Sequence, residues 1–302
     1  MKVLITGAAG FIGSSFAHLL GKKGIEYKII DKLTYAGKME NLPKGFDLLV
    51  KDICDLTLED IDIDYDYVVH FAAESHVDNS IKDGSPFVKT NVNGTYNMIE
   101  LSRQMPNLKK FVHVSTDEVY GDVNDLDVDE TDENCKIYGS SYYSATKASS
   151  DLLVQAANRT HGLPYLITRT CNNFGKRQDS EKLLPTIIRK INKNQSIPVY
   201  GDGEQIREWI WADDNTNMIF KLMQTHTGII NIGSGDRWTN NKIISRIGEL
   251  LGKNIKWEFV EDRKGHDRKY ALDNTKLKQT GYWEISKTLD TYLKECINQE
   301  KY

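Results

Sequence analysis

Gly7, Gly10 and Gly13 recur at three-residue spacing between two apolar segments, and this arrangement constrains the chain more than any other feature. Lys2–Thr6 reads as a buried strand. Phe11–Lys23 reads as a helix with Phe11, Ile12, Phe16, Leu19 and Leu20 on one side. Each glycine suits a separate demand of such a strand-to-helix turn: a sharp bend, close approach of the backbone to a pyrophosphate, and tight packing of helix on sheet. The free N–H groups of the helix N-terminus add a ready anion site. Glycine spacing alone is common, and its place at the first strand–helix turn gives it meaning. The apolar stretch from Met1-Lys2 to Leu20 imitates a secretion signal, but its regular glycines interrupt the required apolar run.

The same alternation continues. Tyr27–Asp31, Leu48–Lys51, Tyr65–Phe71, Lys110–Ser115 and Tyr165–Thr170 read as strands, with long helices at Asp83–Arg103 and Tyr142–Thr160. Strands apolar on both faces and separated by helices predict an α/β, Rossmann-type doubly wound parallel sheet. Beyond Thr170 the pattern loosens. Helices are expected at Lys182–Lys193, Asp213–Gln224, Asn240–Leu251 and Lys287–Cys296, with strands at Ile229–Ile232 and Ile255–Val260. A length of 302 residues allows one large domain or two smaller ones. The expected division is a cofactor domain of residues 1–172, with about 208–232 returning to it, and a smaller carboxy-terminal α/β substrate domain of 173–207 and 233–302.

Thirty-nine Lys+Arg against 43 Asp+Glu give a net charge of -4, which leaves no basic excess for nucleic-acid binding by bulk electrostatics. Cys54, Cys135, Cys171 and Cys296 form no C-x-x-C pair, so no metal is expected and a reducing, cytoplasmic setting is. No window offers about 18 uninterrupted apolar residues, so no membrane span is expected. Asp122–Glu133 carries seven acidic residues, yet a calcium loop starting at Asp125 would have Glu130 where glycine is needed and Lys136 where glutamate is needed. A solvated loop is expected.

Asp31 ends the second strand, where a carboxylate would bind the adenosine ribose. That favours NAD over NADP, whose 2′-phosphate it would repel; Lys32 and Lys38 keep NADP open. Asp52-Ile53 follows the third strand and could frame the adenine. Tyr143 and Lys147 share one helix face, so that the lysine charge eases proton loss from the phenol. Ser115-Thr116-Asp117-Glu118 closes a strand at the sheet edge where active-site residues of open α/β sheets collect. Two carboxyls beside a hydroxyl exceed the needs of alcohol oxidation and suggest an acid and a base acting on neighbouring carbons.

With these motifs, the sequence resembles the extended short-chain dehydrogenase/reductases, and within them the nucleoside-diphosphate-glucose 4,6-dehydratases. The resemblance rests on Gly7–Gly13, Asp31-Lys32-Leu33-Thr34-Tyr35-Ala36-Gly37, Phe71-Ala72-Ala73-Glu74-Ser75-His76-Val77-Asp78, Ser115–Gly121, and Tyr143 through Asp151. It continues through Asn172-Asn173-Phe174-Gly175, Glu181-Lys182-Leu183, Gln205-Ile206-Arg207 and Asp262 through Arg268, and so covers nearly the whole chain in order. The Thr-Asp-Glu triplet discriminates, since epimerases and decarboxylases of the class lack that carboxyl pair.

The resemblance implies the following chemistry. Tyr143 takes the proton of the sugar 4-hydroxyl, which Thr116 holds, while Lys147 tunes Tyr143 and binds the nicotinamide ribose. Glu118 removes the C5 proton and Asp117 protonates the departing 6-hydroxyl. The product, a 4-keto-6-deoxyglucose nucleotide made from dTDP-glucose or UDP-glucose, would feed deoxysugar synthesis of the rhamnose type. Cofactor contacts are implied for Gly7, Gly10, Phe11, Ile12, Gly13, Asp31, Lys32, Leu33, Thr34 and Gly37. Further ones fall on Asp52, Ile53, Phe71, Ala72, Ala73, Ser75, Thr90, Ser115 and Asn173, with Tyr143 and Lys147. The nucleotide sugar would be met by Ser75, Thr116, Asn172, Lys182, Leu183, Pro198, Val199 and Tyr200, then by Arg207, Asn231, Arg263, His266 and Asp267. Arg207 and Arg263 suit the diphosphate as forks; for Tyr200 both stacking on the base and core packing stay open. Asn91 reads as a structural polar residue.

A homodimer through the Asp83–Arg103 and Tyr142–Thr160 helices is also implied. The sequence departs from the family at Lys176–Ser180, where an aromatic- and proline-rich stretch is usual, and at Tyr142, where proline is usual. A nucleotide-sugar 4-epimerase and a non-catalytic NAD-binding module are the alternatives.

Overall fold

A computed structural model describes residues 1–298 of the chain. In order, the amino-terminal elements are β1 (Lys2–Thr6), α1 (Phe11–Lys22), β2 (Glu26–Asp31), β3 (Leu48–Val50), β4 (Tyr67–His70) and α2 (Val77–Lys82). Then come α3 (Ser85–Phe87), a π-helical segment Val88–Gly94, α4 (Thr95–Ser102), β5 (Lys110–Thr116), α5 (Tyr142–His161) and β6 (Tyr165–Thr170). The remainder comprises β7 (Asn172–Phe174), α6 (Leu183–Asn192), β8 (Ile197–Tyr200), β9 (Ile206–Trp211), α7 (Ala212–Thr225) and β10 (Gly228–Ile232). It closes with β11 (Arg237–Thr239), α8 (Asn240–Leu251), β12 (Trp257–Val260), α9 (Thr275–Gln279) and α10 (Leu289–Asn298).

Among the described residues the strands form three sheets. The large one is parallel, in the order β10-β6-β5-β4-β1-β2-β3. The order reverses between β1 and β4, and ligands of open α/β sheets bind beyond the strand ends at such a point. Val3 and Ile5 of β1 belong to one core cluster and Leu4 to another, so the strand is buried on both faces at period two. The expected doubly wound sheet is therefore observed, with β10 returning to its edge beside β6.

The carboxy-terminal part has two small sheets, β11-β9-β7 and β12-β8, over a separate core of Phe174, Trp209, Trp211, Trp238 and Tyr292 with aliphatic neighbours. β7, β8, β9 and β11 lie outside the strands expected from sequence. β7, β8 and β11 have only three or four residues, whereas β9 has six; β8 pairs with β12, far along the chain.

The helix expected over Asp83–Arg103 is corrected. It starts at Ser85, ends at Ser102 and widens into the π segment. Asn91 explains the widening: its side chain accepts from Glu74 N (2.8 Å) and donates to Glu74 O and Thr146 Oγ1, and its carbonyl accepts from Ser150 of α5. The carbonyl thus has a partner other than the normal helical N–H, as π segments at functional sites often require.

Candidate active site

One cleft runs from the glycine turn to the ends of β5 and β6, walled by Gly7, Gly10 to Gly13, Asp31, Phe71 to Ser75, Ser115 to Glu118, Tyr143, Lys147, Asn172 and Lys182 among others. Each glycine of the turn answers a different constraint. Gly7 has φ +75°, and a Cβ there would lie 2.5 Å from Ala72 N. A Cβ on Gly13 would lie 2.3 Å from Gly7 O. At Gly10 a Cβ would meet only Gly7 O at 3.3 Å, so the protein itself leaves that side open to a ligand. Ser115 borders the cleft, and its buried hydroxyl lies beside Asp151, whose pKa it helps to hold down. Free amides at α1 and an open Gly10 fit a dinucleotide.

Asp31 closes this end. Its carboxylate accepts from Ala9 N (2.9 Å) and Leu33 N (2.8 Å), which fixes it at the tip of β2. Lys32 is held by Asp52 (3.7 Å) and Glu74 (3.4 Å) and donates to Thr90 Oγ1, so its charge is answered by carboxylates. Lys38 is exposed. Ile53 borders the cleft, whereas Asp52 turns to Lys32 and to Cys54 N, and Leu33 serves through its backbone. Asn173 is buried, donating to Cys171 O and accepting from Asn215.

The reacting end is built by β5 and α5. α5 begins with a reciprocal cap between Ser141 and Ser144, which sets Tyr143 and Lys147 in its first two turns facing the sheet. Lys147 is buried; its Nζ donates to Val114 O (2.8 Å) and lies 3.3 Å from His113 Nε2. Burial lowers its pKa to about 8, against the pull of Asp151. Burial and the nearby Glu118 raise the Tyr143 phenol well above its ordinary value, while the Thr116 hydroxyl works the other way.

Thr116 ends β5, and the next residues form a single 3₁₀ turn. That turn holds two adjacent carboxyls in different surroundings. Asp117 is pushed well upward by burial, by Glu118 and by Glu208. Glu118 is also raised by burial, but Arg263, Arg207 and Lys182 pull it down. The chain thus presents one carboxyl inclined to keep its proton and one surrounded by cations, a pairing suited to an acid and a base.

Beyond Glu118 lies a polar group from the smaller sheets. Arg207 stacks on Tyr270 (4.3 Å) and donates to Asp267 O and Ile206 O. Arg263 reaches Asp78 (3.5 Å), and its buried Nε has no partner. His266 sits 2.6 Å from Asp262, and burial lowers its pKa to about 4. Asp267 accepts from Ser140 and Tyr270. Tyr200 is exposed, edge-on to His266; Pro198 is exposed on β8, and Val199 is buried in the small core.

Asn231 is brought elsewhere. It is buried under the sheet edge, accepting from Tyr120 and donating to Thr131 O; like Arg207, Arg263, His266, Asp267, Pro198, Val199 and Tyr200, and like Leu33 and Asp52 at the other end, it does not line the cleft. Gln178, Asp179 and Trp209 do border it and were missed from sequence. Gln178 and Asp179 stand in the segment that departs from the family pattern, so no motif marked them.

The family profile described as the NAD dependent epimerase/dehydratase family matches residues 3–233. The chain belongs to this family. It is an NAD-dependent enzyme, similar in sequence to low-salt glycan biosynthesis protein Agl12 of Haloferax volcanii, with 44% identity across 99% of this chain and 98% of that one. It is 39% identical to dTDP-glucose 4,6-dehydratase of Haemophilus influenzae, over 98% and 97% of the two chains. The crystal structure of DesIV, a dTDP-glucose 4,6-dehydratase of Streptomyces venezuelae with NAD bound, superposes with a TM-score of 0.92 at 36% identity, over 99% and 96%. Among the described residues of this family member, no helix is long and apolar enough to cross a membrane.

Proposed function

We propose that this protein is a nucleoside-diphosphate-glucose 4,6-dehydratase whose substrate is dTDP-glucose. The observation that carries the reading is the Thr116–Asp117–Glu118 turn, with its unlike carboxyls, set beside Tyr143 and Lys147 in one cleft. The similarity to curated dTDP-glucose 4,6-dehydratases supports the same choice.

NAD held by the Gly7–Gly13 turn, Asp31 and Lys147 would supply reversible hydride transfer between sugar C4 and C6, so no external reductant would be consumed. Thr116 holds the 4-hydroxyl and Tyr143 removes its proton, with the Lys147 ammonium easing that loss. The resulting C4 ketone acidifies the C5 proton. Glu118 abstracts it; burial raises its pKa, which strengthens it as a base, while Arg263, Arg207 and Lys182 draw it back toward the ionised form. Asp117, which burial inclines to stay protonated, gives its proton to the departing 6-hydroxyl, which leaves as water; as hydride returns to C6, a proton returns to C5. Arg263, with its unpartnered Nε, and Arg207 are assigned to the diphosphate. A 4-epimerase of the same fold would leave the carboxyl pair without work.

We also infer a homodimer through α4 and α5, because Val88, Tyr96 and Leu152 are large apolar side chains exposed on these helices and the π segment before them. Incubation with dTDP-glucose and with UDP-glucose, followed by product analysis, tests the reading and its choice of base. A thymine methyl contact is worth about 1–3 kcal/mol.

A further inference from the structure

His113 lies in the middle of β5, fully buried, with its ring stacked on His70 of β4 at 5.5 Å. Its Nε2 is 3.3 Å from Lys147 Nζ and 3.5 Å from Asp151 Oδ1, and its Nδ1 has no hydrogen-bond partner. An ammonium has three donors and no acceptor, so a charged Lys147 needs a lone pair on His113 Nε2. In that arrangement the ring proton sits on Nδ1, which faces no acceptor. The other tautomer would aim N–H at the lysine and gain only the longer contact with Asp151. With Val114 O and His113 Nε2 each taking one donor, one remains for the cleft.

The other groups facing this pair are few. Asp151, on the same helix, is tied to Arg169 of β6 (2.9 Å). His70 of β4 is neutral, since burial lowers its pKa to about 3, and burial with the Lys147 charge also keeps His113 neutral. Ser115 and Tyr143 complete the surroundings. Asp151 favours the Lys147 charge but shares its own with Arg169, which leaves Val114 O and His113 as the neutral acceptors beside the amine.

We propose that His113 is a positioning residue, a neutral ring acceptor that keeps Lys147 charged and aimed at Tyr143 and the cofactor ribose. The inference rests on the dehydratase reading only for the reaction it serves. His113→Phe keeps the ring and the stack without either nitrogen, His113→Leu is a second apolar variant, and His113→Gln keeps an acceptor. The titration midpoint of Lys147 is read by ¹³C NMR of lysine-labelled protein, the resonance being identified by its loss in Lys147→Arg, and the pH profile of turnover is read in parallel. A hydrogen bond to a charged group is worth enough that the apolar variants should lower the midpoint by about one pH unit. The alkaline limb of turnover should fall with it, and His113→Gln should restore both. An unchanged midpoint in a folded Phe or Leu variant overturns the proposal, as does a Gln variant that behaves like Phe. If the midpoint shifts but the wild type yields no keto sugar, the dehydratase reading fails and the role of His113 stands.

Discussion

The Thr116 hydroxyl donates to Asp117 Oδ1 at 3.2 Å and accepts from Glu118 N at 3.3 Å, so one side chain fixes the turn that carries both carboxyls. The two steps assigned to this turn are separable. Glu118→Gln should lower dehydration by about 10²–10⁴-fold, the usual worth of a positioned base. It should leave a substrate-dependent change in nicotinamide absorbance, because oxidation at C4 uses Tyr143. Solvent deuterium incorporation at C5, followed by mass spectrometry, should vanish in the same variant.

The alkaline limit of turnover should report Lys147. Its folded pKa is depressed to about 8 by burial, so the ammonium is lost as pH rises through that value. kcat/KM for dTDP-glucose should therefore fall above about pH 8. Lys147→Met should abolish that limb together with most activity. A profile flat to pH 10 would detach the lysine charge from the rate.

Asp117 sets function against stability. Its folded pKa is raised, so the folded state binds this proton more tightly than the unfolded chain does. Its contribution is favourable at acid pH and is lost as pH rises through the raised value, since stability falls with pH wherever the native state holds more protons. Asp117→Asn should accordingly be more stable than the parent at pH 8, by about 1–2 kcal/mol, and nearly equal to it at pH 4. Thermal melts at the two pH values measure the difference.

Two glycines of one turn should fail differently. Gly13→Ala forces a Cβ to within 2.3 Å of Gly7 O, so it should cost folding stability as well as NAD. Gly10→Ala meets only a 3.3 Å contact in the protein and should fold normally while binding NAD poorly. Melting temperature and NAD titration, run together, distinguish them.

The amino-terminal half was legible because each layer repeated a simple pattern. β1 and α1 carry periods of two and 3.6 beside glycines that only a tight turn requires. The bounds of the long helix before β5 were not legible, since a π segment depends on Asn91 and Ser150 meeting across 59 positions of sequence. β7 and β8, of three and four residues, carry little periodicity of their own and are made by pairing. Asn231 matched a family position, but its burial against Tyr120 follows from where β10 lands. His113 gave no motif, and only the packing of β5 against α5 brings it to Lys147.

The proposed dimer contact is tested by Leu152→Asp with Tyr96→Asp, whose parent side chains are 56% and 55% exposed. Sedimentation should show the parent at twice the mass of the double variant, with the melting profile of the monomer retained.

The most direct test is incubation of the purified protein with dTDP-glucose and resolution of the products by NMR. A 4-keto-6-deoxy sugar nucleotide, formed without net reduction of the cofactor, is the expected result. A C4-inverted sugar with its 6-hydroxyl intact, or unchanged substrate with both dTDP-glucose and UDP-glucose, would contradict the account.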